Sequence, residues 1–421
     1  MNLKQIIEYY SREEVQEALL YTAKNRETVG VYRNGSFGTR PNVILYPQDI
    51  IAMVKSGVIE FHTSLERWSN PMALKEGNYD DLRIGWDLIL DIDCKVFEHA
   101  KATARVLCKA LKKHGVSGFS VKYTGGKGFH IAIPWEAMPQ SVNMKPTEKL
   151  YPELARQVGF YLKEFIKNDL SKELLKIHGP EEMAERAEVP LEKVLTDTGI
   201  NPFAVIEIDP VLISPRHLFR MPYSINRKTF LVSLPIKPSD ISEFEKKMAE
   251  PERVKVRLKF PSEPEPEEAS SLFAEAVDWW SKRKSKEKMK LEREYKIPKK
   301  VPFELFPPCI KIISQGLPDG RKRSVLILIN FLLSLKWGWN EIEKFIIEWN
   351  EKNKPPLRET YIRGQLRWHK NRNRIILPPN CDNEGYYKNF GVCRPDELCA
   401  GIRNPVNYCL KKLPKTKRRR K

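Results

Sequence analysis

The chain has 421 residues, room for two domains, and a composition of 41% hydrophobic, 10% aromatic and 30% charged residues that excludes a disordered or fibrous protein. Its formal net charge of +19 and pI near 9.4 favour a polyanionic partner, most often nucleic acid. The opening MNLKQIIEYYSREEVQ has no apolar signal core, and the most apolar run, Val325 to Leu335, is too short to span a bilayer and is interrupted by Asn330, so no membrane role and a cytoplasmic location are expected.

Along the chain, GWDLILDIDCK reads as a buried strand from Leu88 to Leu90 that then carries Asp91 and Asp93. HAKATARVLCKALKKHG has the apolar spacing of a helix that ends on Gly115. VSGFSVKYTGGKGFHIAIPWE is a strand, a glycine-rich turn and a second strand, and FAVIEIDPVLI and TFLVSLPI are further strands. These segments predict an α+β domain around a mixed sheet over residues 1–262. FPSEPEPEEASS breaks the pattern, and the charged segment after it completes a partly helical connector over 263–300. A mostly helical domain is expected over 301–421, closed by KKLPKTKRRRK, a basic arm with eight cations in eleven residues.

Asp91 and Asp93, two apart on a strand, share one face. Adjacent carboxylates repel, and Mg²⁺ or Mn²⁺ ions relieve that repulsion while clamping the oxygens of a phosphoryl transfer. A lone D-x-D is otherwise a strand end with two solvated acids. In YTGGKGFHIAI the glycines let backbone N–H groups approach an anion, and Lys127 and His130 supply donors; the alternative is an ordinary glycine hairpin. Asp209 ends another apolar strand, as a third acid or as a turn residue before Pro210, with Arg220 beyond it.

In this order the segments resemble the archaeo-eukaryotic DNA primase family. Its catalytic subunits carry a strand-borne D-x-D, here Asp91 and Asp93, then S-G-x-x-G-x-H, here Thr124 to His130. An apolar-Asp follows, with an R-x-P-x-S-x-x-x-K-T segment, here Asp209, Arg220, Pro222, Ser224, Lys228 and Thr229. The resemblance covers about Tyr9 to Ile236 and implies two divalent ions on Asp91, Asp93 and Asp209. It also implies a nucleotide held by Thr124, Lys127, His130, Arg220, Ser224 and Lys228. Thr124 replaces the usual Ser, Asn226 stands where many relatives have His, and no cysteine lies between Cys108 and Cys309 for the small zinc insertion common in these subunits.

Five of the seven cysteines fall in the last third, an unusual concentration for structural thiols. Four thiolates suit Zn²⁺ or a [4Fe–4S] cluster, and spacing alone does not choose. The flanks resemble the C-terminal domain of the primase large subunit, which implies a [4Fe–4S] cluster on Cys309, Cys381, Cys393 and Cys399, with Cys409 spare. The basic residues Arg321, Arg323 and Arg367, with Trp368 and His369, are candidates for a template and a 5′-triphosphate, or else a solvated helix face.

The reading is a single-chain, monomeric, archaeal-type primase that makes short primers de novo on single-stranded DNA from NTPs or dNTPs, with a replicative polymerase or helicase as a further partner. The alternatives are a primase-like polymerase for extension or gap filling, and a non-catalytic template-binding protein.

Overall fold

The computed structural model describes every residue except Thr198, Asp209, Val211, Leu212, 295–299, 371–375, Glu384 and 414–421, and describes only the backbone of 284–294. The chain divides into two units, Met1–Lys284 and Ser285–Lys421, each with its own hydrophobic core. The architecture is α+β.

Two sheets of three or more strands frame the first unit, beside three two-stranded ones among the described residues. The larger has five strands in the order Ile206–Glu207, Leu88–Cys94, Phe129–Ile133, Ser120–Tyr123 and Pro235–Ile236. The smaller has the order Thr28–Tyr32, Val58–Ser64, Leu218–Arg220. Every strand pairing among the described residues is antiparallel, where a mixed sheet was expected. For the pair Ser120–Tyr123 and Phe129–Ile133 the reason is local: the five residues 124–128 close a hairpin, and a turn that short joins only antiparallel neighbours. The helix Phe97–Lys113 buries Ala100, Ala104, Leu107, Cys108 and Leu111 on one face, and stops where Gly115 takes a φ of +81°.

The connector expected over 263–300 begins within this unit. The helix Ser270–Glu294 buries Leu272, Phe273 and Ala276 in the first core, and the Phe273 ring lies 6.1 Å from that of Trp86. The Glu- and Lys-rich composition of the segment had hidden this apolar stripe.

In the second unit the helices Arg321–Ser334, Trp339–Glu351 and Glu359–Lys370 pack around Leu328, Phe331, Leu332, Ile346 and Trp349. The apolar run Val325 to Leu335 lies in the first of these and its cap, with Val325, Leu328, Ile329 and Leu332 buried. Among the described residues no helix is long and apolar enough to cross a membrane.

Candidate active site

The register of the larger sheet sets out the chemistry. Asp91 stands opposite His130, and His130 stands opposite Lys122, so the three side chains form a row across three strands on one face. One strand further on the other side, Glu207 stands opposite Asp93. The pairing depends on Gly128, where an added Cβ would lie 1.6 Å from the Ile92 carbonyl oxygen. Thr124 closes the turn from within: its hydroxyl donates to the Gly128 carbonyl at 3.2 Å and accepts the Gly126 N–H at 3.3 Å.

The smaller sheet supplies the opposite wall. Arg220 pairs in register with His62, and its guanidinium donates to the Thr124 carbonyl at 2.8 Å and to Glu60 at 3.2 Å. Glu60 also accepts from His62 at 3.2 Å and from the Arg227 N–H at 2.6 Å. Burial pushes Glu60 up, but these partners outweigh it and hold the carboxyl at about 2. Between the walls lies a cavity of about 290 Å³ lined by His62, Asp91, Asp93, His130, Glu207, His217 and Arg220.

The charges in this cavity are out of balance. Burial first, then Asp91 and Glu207, push the Asp93 carboxyl up to about 6, against the pull of Lys127 and Arg220. Asp91 goes the other way: burial raises it, but its cationic and imidazole neighbours prevail and lower it. Burial, helped by Lys122, pushes His130 down to about 4, so at neutral pH its uncharged ring donates Nε2–H to Asp91 over 3.1 Å. Its Nδ1 and the Arg220 Nε are buried with no hydrogen-bond partner among the described residues. Both residues line the acid-walled cavity, and a buried polar atom without a partner calls for an explanation. Lys122 is fully buried, 2.7 Å from the Ser233 hydroxyl and 5.7 Å from the rings of Phe219 and Phe260.

The structure therefore brings Asp91, Asp93, Thr124, His130 and Arg220 together. Asp209 lies outside the described residues. Lys127 is exposed at the turn and lines a second cavity, of about 550 Å³, that shares Asp93 and Glu207 with the first. Ser224, expected on the nucleotide, is turned inward instead: it is fully buried and its hydroxyl accepts the Phe61 N–H at 2.8 Å, tying the Arg220 segment to the smaller sheet. Lys228 is exposed, with its N–H on the Asn226 side chain at 2.9 Å. Sequence reading missed Glu60, His62, Lys122, Glu207 and His217. Only Glu207 had a local signal, since Glu207-x-Asp209 repeats the spacing of Asp91-x-Asp93.

In the second unit, Cys309, Cys381, Cys393 and Cys399 line one cavity of about 240 Å³ with Tyr387 and Tyr408. Burial and the neighbouring thiols push Cys309 well up and Cys381 up to about 11. Cys409 sits in the apolar core, its thiol on the Leu305 carbonyl at 3.5 Å. Among the described residues, no three His, Cys, Asp or Glu side chains are grouped as ligands of one ion.

Of the expected DNA contacts, Arg367 and Trp368 are exposed on the helix Glu359–Lys370. His369 is not: it shares the inward stripe with Ile362 and Leu366, and its Nδ1–H donates to the Gln365 carbonyl at 2.8 Å. Spacing of three and four residues put it on the packed face. Arg321 donates to the Pro355 carbonyl, while Arg323 donates to Gly385 and to Asn389 at 2.9 Å and stacks 4.5 Å over Phe390. The last part of the basic segment, 371–375, lies outside the described residues.

Residues 21–168, which hold both Asp91 and His130, match the family described as LigD, primase-polymerase domain. That segment is thus similar to primase-polymerase domains. The chain is also 30% identical to the DNA primase large subunit PriL of Thermococcus kodakarensis, over 26% of this chain and 37% of that protein. It is 26% identical to PriL of Pyrococcus abyssi over the same shares. It thus spans little more than a third of the length of the curated relatives it matches. Among solved structures, the polymerase domain from Mycobacterium tuberculosis ligase D in complex with DNA aligns at 15% identity and a TM-score of 0.38, over 57% of this chain and 83% of that one.

Proposed function

We propose that this chain is a DNA-templated primase that joins nucleotides de novo on single-stranded DNA. The observation that carries the reading is the pairing of the Asp91 strand with the His130 strand, which sets two acids, a neutral imidazole and Arg220 around one cavity. The donor set fits divalent cations: Asp91, Asp93 and Glu207 line one cavity with hard carboxylate oxygens, and the neighbouring acids push the Asp93 carboxyl up. Asp91 and Asp93, with Asp209 by family resemblance, would hold Mg²⁺ or Mn²⁺. Such ions, when bound, make a 3′-hydroxyl more acidic and offset the charge on departing pyrophosphate. The protein does the positioning. Arg220 lines the cavity and is braced by Thr124 and Glu60, which makes its guanidinium a fixed cationic donor for a triphosphate oxygen. His130 orients Asp91 through Nε2–H, and its other nitrogen remains for the substrate.

The thiol cavity fits a [4Fe–4S] cluster in number and chemistry of donors, with Cys309, Cys381, Cys393 and Cys399 as ligands. Thiols ringing a cavity suit a body several atoms across; four thiolates on one Zn²⁺ would converge to within about 4 Å of one another. Anaerobically purified protein is expected to carry about four irons per chain. Cys393→Ser should lose them, and Cys409→Ser should keep them because Cys409 lies in the core. One zinc per chain in colourless protein would overturn the cluster and leave the four-thiolate site standing.

The deciding experiment supplies single-stranded DNA, nucleoside triphosphates and Mn²⁺ with no 3′-end. Dinucleotides and longer products support priming. The match to a ligase-D type domain favours a second reading, extension or gap filling, in which products appear only when a primer is added. DNA binding with no synthesis in either case would leave a template-binding protein.

A further inference from the structure

We propose that Glu207 is a further carboxylate of the divalent-cation site, placed there by this chain's own sequence and acting on cation binding before any nucleotide arrives. The inference rests on the reading of the Asp91–Asp93 face as a cation site.

Three observations converge on it. Glu207 is directly opposite Asp93 in an antiparallel pair, so both side chains leave the same face of the sheet. The two residues line both cavities, the acid-walled one of about 290 Å³ and the lysine-walled one of about 550 Å³, and so form the ridge between them. Glu207 has no ion-pair or side-chain hydrogen-bond partner among the described residues. Other acids near this wall are engaged: Glu60 has Arg220 and His62, and Glu188 has Lys95. Like charges facing each other across a strand pair destabilise the fold unless something positive lies between them. Of the cations on the second cavity's wall, Lys163 donates to the Ile208 carbonyl at 2.9 Å and lies 4.7 Å over the Phe203 ring, Lys95 pairs with Glu188, and Lys127 is exposed at the turn. The independent sign of a ligand is His130, nine-tenths buried on the wall of the same cavity, with its Nδ1 unpartnered.

A divalent cation on the ridge would use oxygens from two neighbouring strands. More carboxylate charge at a site of oxygen ligands tightens the hold on the ion. The expected consequence is that Mn²⁺ binds the full chain in the absence of nucleotide and DNA, with Glu207 sharing the load with Asp93.

The test is Mn²⁺ alone, titrated into the full-length protein and followed by the loss of the free-ion EPR signal, with thermal unfolding measured in parallel in EDTA and in Mn²⁺. Glu207→Gln should weaken binding about tenfold or more. It should also raise the melting temperature in EDTA while shrinking the gain that Mn²⁺ produces. Unchanged Mn²⁺ affinity in Glu207→Gln, beside a clear loss in Asp93→Asn, would overturn the role of Glu207 and leave the cation site in place. Unchanged affinity in both variants would overturn the cation site itself, and this proposal with it.

Discussion

Asp91→Asn and Asp93→Asn should each lower nucleotide incorporation roughly a thousandfold or more, since each removes a charge that acts on the reacting phosphates rather than on the fold. The swaps are close to isosteric. Asn at position 91 can still accept the His130 Nε2–H, so the 3.1 Å contact survives in geometry if not in charge. At position 93 the change relieves repulsion from Asp91 and Glu207, so stability should hold or improve while activity disappears. Incorporation of labelled nucleotide, melting temperature and a gel-shift on single-stranded DNA separate these effects. Template binding should change little, because it depends on cations elsewhere in a chain of net charge +19. If either variant keeps a tenth of the activity, the carboxylate face is not where the transfer takes place.

Gly128→Ala should be the most damaging single methyl group in the first unit. The new Cβ would meet the Ile92 carbonyl oxygen at 1.6 Å, its carbon at 2.8 Å and the Asp93 Cα at 3.4 Å. All of these are backbone atoms of the acid-bearing strand, so no side chain can swing away. Relief requires the two strands to part, which breaks the Ile92–Phe129 and Asp91–His130 pairing. Overpacking that moves backbone costs about 3 kcal/mol or more. For a unit of this size that is a fall in melting temperature of roughly 6–12 °C. Gly126→Ala is the control: its nearest neighbours are the Asn226 side-chain nitrogen at 3.2 Å and the Thr124 hydroxyl at 3.6 Å, both able to shift. It should stay within about 1 kcal/mol of the parent. Equal melting temperatures for the two variants would show that the strands are not in the register described.

The two predictions draw on different kinds of information. Asp91, Asp93, the Thr124–His130 turn and the cysteine spacing could be read from the chain because each is a short contiguous pattern whose chemistry is carried by residue type. The α+β character was legible for the same reason, since strand and helix periodicities are local. The first turns of the helix Ser270–Glu294 were not. Three buried apolar residues among many charges resemble a linker until a core is there to receive them.

What tertiary structure decided is which distant residues meet and which way each side chain turns. Glu60 and His62 precede Arg220 by more than 150 residues, and only the pairing of Val58–Ser64 with Leu218–Arg220 makes them one wall. Lys122 and Glu207 enter the site through register alone, and shifting a strand by one residue would turn each to the opposite face. The same physics removed Ser224 and His369 from the expected contacts: both carry suitable chemistry, but one faces the Phe61 backbone and the other the core of its unit. Residue type and spacing determined which chemistry this protein has available. Strand register and the direction of burial, which depend on every neighbour at once, determined which of those residues share a cavity.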